Sequence, residues 1–96
     1  MKFIKTADVG QTYINLDTVE SLTVTKTYNG YGVYAITASA RYLLIEVTKN
    51  LINYPSDANY KERRLIDKRE EQNTITKAQA WLDNLVAKLN GDNDNG

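Results

Sequence analysis

The chain has no cysteine and no histidine in its 96 residues. The first absence excludes disulfides, thiolate nucleophiles and cysteine-ligated zinc. The second removes the commonest general base and metal ligand. Neither sign of charge prevails, with twelve Lys and Arg against twelve Asp and Glu, and the isoelectric point lies near 6.2. No apolar run exceeds a stretch such as Tyr42–Ile45, far short of the roughly 20 residues that cross a bilayer. The opening Met1–Asp8 has no apolar core of a secretory signal. The expectation is a cytoplasmic protein without cofactor or metal and, lacking the usual nucleophile–base pairs, without enzymatic activity.

What is present is an ordinary globular mix, 42% hydrophobic and 25% charged, enough for one small domain over 1–90. The first half reads as antiparallel strands. Lys2–Thr6 and Tyr13–Leu16 are short candidates, the first closed by Asp8-Val9-Gly10. The second is broken at Asp17-Thr18, where an aspartate can bond its own backbone. From Glu20 to Thr27, Leu22 and Val24 alternate with Thr23, Thr25 and Thr27, the pattern of a half-buried strand. Asn29-Gly30 then signals a hairpin. A three-residue loop Tyr28–Gly30 sets Val24 opposite Tyr34 and Leu22 opposite Ile36, and burial favours that register. Tyr31–Ala38 and Arg41–Thr48 complete the strands, with a turn at Ser39-Ala40.

Charge concentrates in 50–72. Pro55 holds Tyr54 extended, Ser56 or Asp57 could cap a helix over 57–70, and Arg63 with Asp67 stands at i,i+4. Further on, Thr76-Lys77-Ala78-Gln79 fits a capping box. Ala78, Trp81, Leu82, Leu85, Val86 and Leu89 follow at helical spacing, so the spacing predicts a helix over 77–90. Asn90-Gly91 offers its left-handed end, leaving 91–96 as a disordered tail. The expected fold is α+β: a twisted antiparallel sheet of four or five strands, with this C-terminal amphipathic helix packed on one face.

Candidate chemistry is sparse. Asp17 with Glu20, and Glu70 with Glu71, are possible acid–base pairs, but nothing implies a cleft to separate their pKa values. Asp92, Asp94 and Gly96 echo the start of a calcium loop that ends before its glycine and its glutamate. Lys61, Arg63, Arg64, Lys68 and Arg69 could contact phosphates while tyrosines stack on bases. Glu62, Asp67, Glu70 and Glu71 interleave with them, as on a solvated helix face. Tyr28 and Tyr31 bracket the hairpin and could anchor a protein partner, or pair across the strands. The threonine row, on an edge strand, could add a second chain.

Two resemblances bear on function. Tyr13–Val19 and Ala78–Leu85 resemble segments of small uncharacterised proteins from Gram-positive bacteria and their phages or plasmids. The order of strands followed by one amphipathic helix is similar to PC4-like single-stranded-DNA-binding domains, which are β4α homodimers. The leading expectation is a non-enzymatic interaction or regulatory protein that binds another protein through Tyr28, Tyr31 and the charged stretch. The alternative is a single-stranded nucleic-acid binder using Lys61, Arg63, Arg64, Lys68 and Arg69. An uncovered second sheet face suggests a homodimer.

Overall fold

The computed structural model describes residues 2–7 and 12–94, except the side chains of 92–94. The expected Asp8–Gly10 turn, the last two residues and the side chains of the calcium-loop echo lie outside the described residues. Five strands form two antiparallel sheets. β1 (Phe3–Lys5) pairs with β2 (Tyr13–Asn15), Ile4 opposite Ile14. A 3-10 turn, Leu16–Thr18, leads into β3 (Val19–Lys26), β4 (Gly30–Thr37) and β5 (Arg41–Thr48), a three-stranded meander. One helix, α1 (Tyr60–Asp94), packs against it. The break after β2 is made by Asn15 rather than Asp17: the Asn15 side chain accepts the Asp17 N–H at 3.0 Å.

The hairpin register differs from the expected one. Lys26 pairs with Tyr31, Val24 with Val33 and Leu22 with Ala35. Thr27 N–H donates to Gly30 C=O at 2.9 Å, so the loop is the two residues Tyr28-Asn29. Alternation could not choose here, because β4 is apolar on both faces (Val33 and Ala35 on one, Tyr34 and Ile36 on the other). The choice falls to the helix, which lies against the smaller pair. Val33, Ala35 and Ala78 are completely buried together. Ile36, opposite Ser21, therefore turns to the other face with Thr23, Thr25 and Tyr34. The turn at Ser39-Ala40 forms as expected, with Ala40 C=O accepting from Thr37 N–H at 2.9 Å.

β5 carries a bulge. Val33 faces Ile45 and Tyr34 faces Leu43, so Leu44 is the extra residue and is buried in the same cluster as Ile14. Ala7 N–H donates to Leu43 C=O at 2.8 Å, which fastens the β1–β2 hairpin to the bulge.

The helix also departs from expectation. It is a single element of 35 residues instead of a weak one over 57–70 and a capped one over 77–90. Thr76 caps nothing; it is an exposed interior residue. No proline interrupts the run. Thr74, fully buried, satisfies its hydroxyl by donating to Glu70 C=O at 2.8 Å, a bond to i−4 that a helix tolerates. Packing of Thr74, Ala78, Leu82 and their neighbours on the sheet carries the helix through the weak formers Asn73-Thr74. Gly91 lies within the helix, which runs on to Asp94, so the expected glycine stop does not form there. The cap is Asn59, whose Oδ1 accepts the Glu62 N–H at 2.9 Å, and not Ser56 or Asp57. Asn59→Ala should cost about 1 kcal/mol, read as a lower urea midpoint and faster amide exchange in the first turn of α1.

At 1.5 Å per residue α1 is about 52 Å long, while an eight-residue strand spans about 27 Å. The longest dimension of the molecule is 57 Å. Apart from half-buried Ile66, residues 60–69 are exposed, and the first three turns extend beyond the sheet as an arm.

Candidate functional site

Three pieces meet where the arm leaves the sheet: the β3–β4 hairpin, the segment after β5, and α1 around Glu70-Glu71. Lys49 N–H donates to Asn29 C=O at 2.9 Å, and Asn50 N–H to Glu70 Oε1 at 3.1 Å. The Tyr31 hydroxyl donates to Glu71 Oε1 at 2.7 Å, and Lys26 Nζ stands 3.6 Å from the same oxygen. Lys26 and Tyr31 are cross-strand partners on the helix-facing side of the sheet, which is why both reach α1.

Residues 49–59 then run back along the arm as a strap. The Tyr54 hydroxyl bonds the Asp67 carboxylate, and the Arg63 guanidinium lies over the Tyr54 ring at 5.3 Å. Ala58 is buried at the turn into the helix. Tyr54 at Asp67 and Asn50 at Glu70 fix the strap to the helix at two points within one turn of each other, so the arm is braced on one side.

The bond to Tyr31, and after it the charge of Lys26, hold the Glu71 carboxyl below the usual carboxylate range. The same bond, then burial, raises the Tyr31 phenol. A depressed carboxylate stabilises the fold above its ordinary titration range and loses that contribution as pH falls through its lower folded value. A raised phenol contributes below its ordinary value and is lost as pH rises through the higher folded one. Urea midpoints should therefore decline at both ends of the pH range. Tyr31→Phe should flatten the alkaline limb and reduce the acid one, since Lys26 still holds Glu71. Identical profiles for the two proteins would refute the coupling.

The candidate residues named above are placed unequally. Tyr28 is fully exposed at the loop, whereas Tyr31 is half-buried and turned to the helix. They do not form a pair, and Tyr31 is not a free anchor. Lys61, Arg63, Arg64, Lys68 and Arg69 are all exposed on the arm but on several faces of it. Arg63 stacks on Tyr54, and Arg64 lies over the Tyr60 ring at 5.8 Å. Lys61, Arg64, Leu65 and Lys68 line one shallow groove. Three of the four interleaved acids point elsewhere: Asp67 to the strap, Glu70 to Asn50, Glu71 to the hairpin. Apart from exposed Glu62 and the stacked Arg63, the mixed-sign run is thus sorted by the fold into braced carboxylates and outward cations.

Sequence reasoning missed Leu51, which is 98% exposed beside the hairpin. A leucine next to a strand end gives no signal of exposure. β3 is an edge strand of its sheet, as strand addition requires. Among the described residues no group of acids could hold a metal ion, and no helix is long and apolar enough to cross a membrane. No protein-family model, no curated protein and no solved structure matches the chain.

Proposed function

We propose that the chain is a non-enzymatic binding module that receives another protein in the corner between the hairpin tip and the projecting arm. The observation that carries this reading is a pair of almost wholly exposed apolar side chains, Tyr28 and Leu51, on segments joined by the Asn29–Lys49 hydrogen bond. The Asn29–Lys49 bond already orders the backbone that carries them, so binding has mainly the two side chains left to immobilise, and Tyr is favoured at binding hot spots. Lys26 and Lys49 beside them, with Arg64 and Tyr60 along the arm, suit a partner that offers an apolar side chain flanked by acids. Such a partner would fit an accessory protein of a mobile element.

The test is capture from the native host with the intact chain, followed by the Tyr28→Ser/Leu51→Ser double variant. Both positions are exposed, so the variant should keep its circular dichroism and lose the captured protein. Capture that survives the double variant, or none at all, overturns the reading.

A second reading, single-stranded nucleic-acid binding, is favoured by the outward sorting of Lys61, Arg64, Lys68 and Arg69 away from the braced acids. Binding to short single-stranded oligonucleotides should then weaken steeply with rising salt. No gel shift at low salt removes it.

A further inference from the structure

The helix has a flank that neither the sheet nor the strap covers. At 100° per residue, the positions near 110° from the sheet-facing Ala78 are Leu65, Lys68, Gln72, Gln79, Asp83 and Val86. All are exposed, and Leu65 and Val86 are, at 64% and 39%, two of the few large apolar side chains that α1 presents to solvent. Their order is self-complementary. About a point between Ile75 and Thr76, Leu65 mirrors Val86, Lys68 mirrors Asp83, and Gln72 mirrors Gln79. Apolar falls on apolar, cation on anion, amide on amide. The next pair outward, Lys61 and Asn90, is also polar on polar.

We propose that α1 pairs antiparallel with α1 of a second copy along this flank, about a two-fold axis at Ile75-Thr76. A two-fold axis requires that each contact appear twice with roles exchanged, and this sequence meets that condition at every pair. Each Lys68 then meets Asp83 of the second copy. Asp83 Oδ1 already accepts the Gln79 side-chain amide at 3.0 Å, which holds the carboxylate on this flank and leaves Oδ2 for the lysine. The sheet lies under residues from about 71 to 89, off-centre from the axis, so the two sheets are displaced by about nine residues or ~13 Å along the helices. Each copy's projecting arm then lies beside the sheet-bearing half of the other. The arm, braced by the strap on one side, acquires a neighbour on this flank.

With two short apolar contacts and two surface ion pairs per interface, the dimer should be weak and salt-sensitive. The flank is distinct from the Tyr28/Leu51 corner, so this inference stands or falls separately from the function proposed above.

Sedimentation equilibrium of the full chain at low salt, over a range of concentrations, should show mass rising from 10.9 kDa toward twice that value. Lys68→Asp alone, and Asp83→Lys alone, each place like charges together twice per dimer and should weaken association about tenfold or more. Mixing the two single variants restores both ion pairs, so the mixture should associate where neither variant does. A chain monomeric at every concentration overturns the proposal. So does a dimer indifferent to either substitution, which would rest on another face. Unchanged circular dichroism of the single variants guards against a folding defect, and recovery in the mixture excludes it.

Discussion

Gly30→Ala should lower stability by about 3 kcal/mol, the upper end of overpacking costs. A Cβ built at this position lies 2.0 Å from Val47 O and 2.9 Å from Thr48 Cα. Both obstacles are backbone of the neighbouring strand, so no rotamer change relieves them, and β4 and β5 must separate. The Lys49–Asn29 hydrogen bond, one residue away, would be disturbed with them, and the corner at the hairpin tip with it. Two other glycines provide the comparison. Gly32→Ala meets Leu43 Cδ1 at 2.7 Å, the end of a side chain that can turn, so its cost should be clearly smaller. Gly91→Ala meets nothing within 4 Å and replaces a poor helix former, so it should be neutral or stabilising by a few tenths of a kcal/mol. Urea titrations of the three variants check the order. Equal losses for Gly30→Ala and Gly32→Ala would contradict the strand-contact explanation.

The second large effect is expected at Leu82. It is 8% exposed, in one cluster with Val33, Ala35 and Ala78. Leu82→Ala should cost about 3 kcal/mol, since burial by small, fully packed neighbours leaves little room for the cavity to collapse. Trp81, one residue earlier, is the larger side chain but is only half-buried at the side of the stripe. Trp81→Ala should cost about 2 kcal/mol, less than a buried tryptophan would. Thermal or urea unfolding of the pair decides it; a greater loss at Trp81 would mean that the indole, not the leucine, is the centre of the packing.

Much of the candidate site was invisible in the sequence for a physical reason. The basic residues Lys61 to Arg69 are evident, but their sign pattern reads as a neutral, solvated face. What separates cations from acids is which carboxylates find partners: Asp67 at Tyr54, Glu70 at Asn50, Glu71 at Tyr31. Those partners lie 13, 20 and 40 residues away, beyond any local pattern. Tyr31 illustrates the same limit. Its place beside a turn suggests an exposed anchor, yet a register different by one residue turns it inward to the helix.

Local chemistry by itself determined the fold class, the meander of Val19–Thr48, the turn at Ser39-Ala40 and the apolar stripe from Ala78 to Leu89. Each follows from alternation, turn residues or helical spacing within a few neighbours. Tertiary structure decided the rest. It chose the register of the β3–β4 hairpin, because β4 is apolar on both sides and only the close approach of Ala78 distinguishes them. It also joined two expected helices into one. The propensities of Asn73 and Thr74 are weak, and burial of Thr74 against the sheet outweighs them.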